Sequence, residues 1–452
     1  MDFMVIFISL LIAMVTAVRV PQPGIIQDRV SSEDALYFIK PLYAGTAFRL
    51  KVTNHQPCEV RNSSFTFRWE IKGSSCFGRL HWLNSDAGRQ DVFNYWKDES
   101  MFSIANYNDS HQGDVISCGE SVSLHFQDSW KHSANSDNWQ HGDGLMPEDH
   151  IENNEDGGQL IAVAPSYGAY FILITVRQSY PSDIDVVLSM KGKYGYLSTE
   201  AVPALYLHAV MIAFYAICLL WAIADVSRKL TNEVHHYLVV MTVLLITYNA
   251  LCYANYSYVR YVGFSSTSLN LISLMLQSAS YGFMRLFILF LCGGFGETFL
   301  EVHPNPKTKP FLLAFAFFVF YLSYSCAQLY NGTIYLVQTF VILLCVADAV
   351  ILYHAGVFYM QTKQRLKSQN VPSFKAKFYK FTNLLKFLFI LCIVIITVVI
   401  WSTATDCSYD WYFTSVFACH WALFQLIFVV GIGIIYRSKS GVSPKRLELF
   451  FK

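Results

Sequence analysis

PALYLHAVMIAFYAICLLWAIA, residues 203–224, runs for 22 residues without a charged side chain. At ~1.5 Å rise per residue a helix of this length crosses the ~30 Å hydrocarbon core of a bilayer. Reading toward the C-terminus, further apolar segments of spanning length follow at 237–256, 269–291, 311–330, 333–360, 387–404 and 412–436. The fourth and fifth are divided at Tyr330-Asn331-Gly332-Thr333, where Asn-Gly supplies the chemistry of a tight turn. Seven membrane helices are therefore predicted. The totals agree: of 452 residues 54% are hydrophobic and only 14% charged, too little charge to cover a soluble protein of this size.

Reading toward the N-terminus, the character changes. Residues 18–199 hold short alternating runs at 47–52, 65–71, 121–126, 169–177 and 184–190. In Phe65-Thr66-Phe67-Arg68-Trp69-Glu70-Ile71 the apolar residues take the odd positions, the period of a half-buried strand. Several such strands with no helical pattern predict a β-sandwich. The stretch 130–158, rich in Asp, Glu, Asn, Gly and His, reads as a long exposed loop. Residues 1–17 carry an apolar run ending in Val15-Thr16-Ala17, the pattern of a cleaved signal peptide, although Asp2 leaves its first residues without Lys or Arg. The expected order is signal peptide 1–17, lumenal sandwich 18–199, helix bundle 203–436 and basic cytoplasmic tail 437–452.

Basic residues orient the bundle. With the sandwich lumenal, the segments 228–235, 297–310, 361–386 and 437–452 face the cytoplasm and hold sixteen Lys and Arg, whereas the lumenal loops between helices hold Arg260 alone. The 361–386 segment reads as a loop with Phe374, Phe378, Tyr379 and Phe381 among its lysines, suited to lying on anionic lipid or to ordinary positive-inside charge.

Most of the 11 cysteines sit inside spans, but Cys58, Cys76, Cys118 and Cys407 fall on the lumenal side, an oxidising compartment. Full pairing requires one domain cysteine to bond to Cys407. Of the three connectivities, Cys58–Cys118 with Cys76–Cys407 is preferred, and one domain disulfide with two free thiols is the alternative. Asn62-Ser63-Ser64 and Asn108-Asp109-Ser110 are glycosylation acceptor sequences in the domain. Asn255-Tyr256-Ser257 and Asn331-Gly332-Thr333 match too, but lie at helix ends beside the bilayer.

Between the halves stands Val187-Leu188-Ser189-Met190-Lys191-Gly192-Lys193-Tyr194-Gly195-Tyr196-Leu197-Ser198, followed by Pro203 and Tyr206. This resembles the last lumenal strand, Gly-Tyr-Leu-Ser link and first helix of the GOLD-domain seven-transmembrane family, also called the lung seven-transmembrane receptor group. The motif covers a dozen residues and the layout nearly the whole chain. The resemblance implies a GOLD-like sandwich, residence in the Golgi and endomembrane system, and a part in traffic between Golgi, endosomes and plasma membrane. It also implies a bundle like that of the Wnt carrier Wntless, and receptor and ion-channel roles have been proposed within the family.

Charges within spans are costly and mark functional hypotheses. Arg285 in the third span and Asp348 in the fifth lie at similar depth, roughly a dozen residues ahead of the cytoplasmic segments that open at 297 and 361, so an ion pair is expected. Its plainest role is to fix helix packing, with a gate or substrate site as the alternative. Asn249, Asn255, Gln277, Gln338, His354, His420 and Gln425 are candidates to face inward, chiefly for interhelical hydrogen bonds. Gly431-Ile432-Gly433 permits close helix contact. His125, His132, His141 and His150 match no tight ligand spacing.

No Gly-x-Ser-x-Gly, His-Glu-x-x-His, Walker loop or paired CxxC is present, so a non-enzymatic protein without cofactor or metal is expected. Expected partners are membrane lipids, a lumenal protein or glycan cargo and cytoplasmic coat or adaptor proteins, and no nucleic acid. The leading function is vesicular traffic. A signalling receptor is the alternative, although the third span ends without an Asp-Arg-Tyr-like triplet and the last without Asn-Pro-x-x-Tyr or any lysine. A cation channel or lipid-binding transport protein is the third reading.

Overall fold

The computed structural model describes residues 24–30, 35–54, 65–74, 105–113, 121–122, 158–178, 184–227, 233–294, 308–329, 334–368, 372–405 and 410–437. The predicted signal peptide, Cys58, Cys76, Cys118, Cys407, Asn62, the four loop histidines and residues 130–157 of the predicted loop lie outside these residues.

Among the described residues, nine strands make two antiparallel sheets. They are β1 (Ile25–Val30), β2 (Ala35–Leu42), β3 (Ala47–Asn54), β4 (Phe65–Ser74), β5 (Ala105–Gly113), β6 (Ser121–Val122), β7 (Gln159–Val163), β8 (Gly168–Gln178) and β9 (Ile184–Lys191). One sheet runs β1-β9-β3, with β6 and β7 both pairing β3; the other runs β2-β8-β4-β5. Alternation by two sends Phe48, Leu50 and Val52 of β3 and Val186, Leu188 and Met190 of β9 toward Trp69 and Ile71 of β4 and Tyr170, Ile172 and Ile174 of β8. These residues are the sandwich core. The expected half-buried character of β4 needs correction: Glu70 and Lys72, on its other face, are also buried. Glu70 is ion-paired with Arg68, which offsets part of the cost of removing its charge from water.

Among the described residues, seven helices follow: α1 (Ala201–Ser227), α2 (Glu233–Val262), α3 (Thr267–Cys292), α4 (Thr308–Leu329), α5 (Ile334–Ser368), α6 (Pro372–Thr405) and α7 (Asp410–Tyr436). Six are long and apolar enough to cross a membrane, and α7 adds the apolar stretch Trp421–Tyr436. Pro203 stands in the first turn of α1, where no backbone N–H is required by the helix. Ser266 caps α3, its hydroxyl accepting from the Leu269 N–H, and Gly293 and Gly294 close its far end. Outward-facing Ile217, Leu220, Ile342 and Ile434 are each more than half exposed, as suits contact with lipid.

The 361–386 segment is not a loop. Helix α5 continues to Ser368 and α6 starts at Pro372. Phe378 and Phe381 are buried, with Phe378 stacked on Tyr359 at 5.2 Å, so these rings pack between helices and do not lie on lipid. Hydropathy marks only the part of a helix in hydrocarbon; past the membrane the helix continues with an apolar seam and a basic outer face.

The sandwich is tied to the bundle by main-chain contacts. The Gly24 and Ile25 N–H groups donate to Gly263 O in the α2–α3 turn (2.7 and 3.0 Å), and Tyr196 N–H donates to Arg260 O (3.2 Å). Gly192 and Gly195 exchange hydrogen bonds in a tight turn. Gly195 has φ +70° and presses on α2 so closely that a Cβ there would lie 2.2 Å from Arg260 O. Gly45 shares the left-handed conformation, φ +79°, but faces open space. Gly195→Ala therefore meets both backbone strain of ~1–3 kcal/mol and a main-chain clash, whereas Gly45→Ala meets the strain alone. Melting of the two variants in detergent checks this, with Gly195→Ala expected to fall well below Gly45→Ala.

Lys40 sits on the inward register of β2, opposite Tyr170 and between Phe38 and Leu42. Its Nζ donates to Tyr196 O at 3.2 Å. Burial pushes its ammonium group from 10.5 down to about 7, against the opposing pull of Glu200. Between these values the folded chain binds fewer protons than the unfolded chain, so stability rises with pH across that window. Below about 7 the group is charged in both states and contributes no slope. Unfolding of the full chain is expected to become harder from neutral pH toward 10, and Lys40→Met is expected to flatten that rise. Superimposable profiles for the two proteins contradict the assignment.

Candidate functional site

The best-defined polar site lies in the middle of the bundle on α3, which packs against α2, α4 and α5. Sixteen of its 26 residues are buried, which makes it the central helix. Small residues make this location feasible. Ser273, Ser278 and Ser280 turn their hydroxyls onto carbonyls three or four residues back. Gly282 lets α4 approach so closely that a Cβ there would lie 3.2 Å from Ala314 O.

One helical turn beyond Tyr281, Arg285 meets Asp348 of α5. Arg285 Nε donates to Asp348 Oδ1 at 2.6 Å and Nη2 donates to Oδ2 at 3.0 Å, a two-pronged contact. Nη1 donates to Tyr281 O at 3.3 Å, and the guanidinium lies 3.5 Å from the centroid of the Phe317 ring on α4. The pair thus joins three helices, with Arg285 8% and Asp348 3% exposed. The surroundings are aromatic: Tyr281 meets Tyr321 of α4 and Trp421 of α7 edge-on at 4.9 and 5.1 Å. Gln277 donates to the Tyr281 hydroxyl at 3.1 Å.

The other inward candidates divide. Asn249 is buried against His208, Nδ1 to Oδ1 2.8 Å, and Asn255 donates to Asn270 Oδ1 at 2.5 Å. Burial of Asn255 also removes that sequon from reach of a glycosylating enzyme in the folded chain. Gln425 is buried with its amide nitrogen lacking a hydrogen-bond acceptor among the described residues. His354 is half-buried between the rings of Tyr353 and Phe358. Gln338 is exposed on α5 and faces outward, contrary to expectation, because a 3.6-residue period places it on the lipid side with Tyr335 and Ile342. The His420 side chain lies outside the description, as does that of Asn108 on β5, whose backbone pairs with Glu70 of β4. Gly431 and Gly433 do admit neighbours: a Cβ would meet Leu384 of α6 at 2.6 Å and Trp221 of α1 at 2.9 Å.

Sequence reasoning missed His208, Asp225 and His235, all buried. Asp225 lies 3.4 Å from Arg437 Nη2, and Arg437 also lies over the Trp221 ring. The available signal was a carboxylate at the very end of an apolar run, followed after the last span by an arginine.

Leaving one member of a buried pair without the other costs about 3–5 kcal/mol, while replacing both with apolar side chains is far less harmful. Asp348→Asn is therefore expected to lower the melting temperature in detergent strongly, and Asp348→Leu combined with Arg285→Met to recover most of the loss. Equal damage from single and double replacement contradicts the coupling.

Residues 203–440, just over half of the chain, match the family model of the GOST seven transmembrane domain. Transmembrane protein 87A of Xenopus tropicalis is 22% identical over 446 residues, covering 92% of this chain and 78% of that protein. Transmembrane protein 87B of Homo sapiens is 22% identical over 440 residues, 92% and 74% of the two chains. The Mus musculus protein of that name matches over 299 residues at 22%, covering 62% and 52%. The sandwich, the seven helices and the matched domain together place this multi-pass membrane protein in the GOLD-domain seven-transmembrane (GOST) family, as a divergent member.

Proposed function

We propose that the chain is a non-enzymatic seven-helix protein of the Golgi and endomembrane system that acts in vesicular membrane traffic. In this reading the sandwich is lumenal and binds a protein or glycan cargo. The α5–α6 end and the C-terminal tail are cytoplasmic and meet coat or adaptor proteins. The observation that carries it is the helical extension of α5 and α6. Lys363, Arg365 and Lys367 on α5 and Lys375, Lys377 and Lys380 on α6 surround the apolar contact of Leu366, Phe378 and Tyr359. Cations held on an ordered helical end form a surface for acidic protein segments, and their excess on one side of the bundle orients that side to the cytoplasm.

A second reading, a cation channel or lipid-binding transport protein, is favoured by the buried polar groups His208–Asn249, Gln277–Tyr281 and Arg285–Asp348 along the bundle. The deciding measurement is co-localisation of a C-terminally tagged chain with Golgi, endosome and plasma-membrane markers, with cargo delivery scored after knockout. Golgi residence with missorted cargo is expected, as is loss of rescue by a Lys375→Glu, Lys377→Glu, Lys380→Glu variant. Surface residence with normal delivery overturns the traffic reading. Ion flux in liposomes that is abolished by Asp348→Asn moves the assignment to the channel.

A further inference from the structure

The end of the sandwich nearest the bundle is aromatic and basic. Tyr43, in the β2–β3 turn, meets Tyr167 of the β7–β8 turn edge-on at 5.3 Å and Tyr194 of the linker at 4.9 Å. Tyr167 is 54% exposed. Lys193 is exposed beside them, its Nζ 5.7 Å from the Tyr194 ring, and Lys191 lies over Tyr196. Glu200 is the acidic residue of this linker.

The depth of this patch follows from its contacts. Tyr43 OH donates to Thr199 O, two residues before α1. Tyr43 and Tyr194 pack against an apolar cluster built from Leu197, Ala201, Val202 and Leu205 around the start of α1 and Tyr256 and Val259 near the end of α2. They are therefore level with the first turn of one span and the last turns of the next. At this level the bundle exposes Tyr206, Tyr258 and Tyr261, the last of them 73%. Tyrosine, with an apolar ring and a polar tip, is favoured where hydrocarbon gives way to headgroups.

We propose that Tyr43, Tyr167, Tyr194 and Lys193 form a foot by which the sandwich rests in the headgroup layer of the bilayer its own helices cross. The partner is the phospholipid interface. The rings enter the boundary between headgroups and acyl chains, and Lys193 meets phosphate. The patch is continuous with the lipid-facing surface of α1 and α2, which is why lipid and not a further protein is assigned to it. The sandwich is then held by the membrane as well as by the contacts of Tyr196 and Gly263, and its tilt relative to the bundle is restrained on both counts.

The test uses the full chain in vesicles of phosphatidylcholine with a minority of phosphatidylglycerol, the phospholipid radiolabelled. A photo-crosslinking benzoylphenylalanine is placed at Tyr167, and in a second variant at Lys193. Tyr261 provides the lipid-facing reference and Arg68, exposed on β4, the water-facing one. The expected result is a lipid adduct at residue 167 or 193 with a yield comparable to that at 261 and many times that at 68. Yields at both positions no higher than at 68, or adducts to a second copy of the chain in place of lipid, overturn the proposal.

Discussion

Hydrocarbon offers no hydrogen-bond partner, and the central polar features of the bundle answer that fact. Backbone groups are satisfied within helices, serine hydroxyls fold back onto their own helix, and the guanidinium of Arg285 obtains its counter-charge from Asp348. That last contact ranks above the others because a single unpaired charge at this depth costs more than most individual packing contacts contribute. Since the arginine belongs to α3 and the carboxylate to α5, with Phe317 of α4 against the guanidinium, one side-chain cluster links three helices. The rings of Tyr281, Tyr321 and Trp421 then extend the packing to α7.

The second constraint acts at the junction. Two left-handed glycines shape it: Gly195 lets main chain approach the Arg260 carbonyl, and Gly263 makes room for the side chains of Ile25 and Tyr196. The result is a hydrogen-bonded join between sandwich and helices where a flexible tether would otherwise serve. Lys40 reaches into the same place from inside the sandwich. A basic residue within an otherwise apolar strand face couples the sandwich interior to the linker through one carbonyl, and it does so with a group whose protonation changes near neutrality.

Some of this is legible in the sequence. The period of two over residues 65–71 places Trp69 and Ile71 in a core, because alternation across a strand is a local property, whereas 169–174 is apolar on both faces and buried on both. Hydropathy locates the spans for the same reason. It mislocates the ends of α5 and α6, where the helix outlasts the apolar run and Phe378 and Phe381 find partners that no local signal announces. Glu70 and Lys72 show the reverse case: polar by composition, yet buried, because what covers a sheet face is not written in the strand itself.

Chain chemistry alone settles that helices cross a membrane and follow a β domain, since both follow from the transfer of side chains and backbone between water and an apolar medium. Similar depth even nominates Arg285 and Asp348 as partners. That α3 and α5 are neighbours, that the guanidinium also lies over Phe317, and that Gly195 abuts Arg260 depend on helix packing between residues far apart in the chain. Which helices touch is set by the joint fit of all the side chains in the bundle. No segment read singly contains that information, and only the folded molecule supplies it.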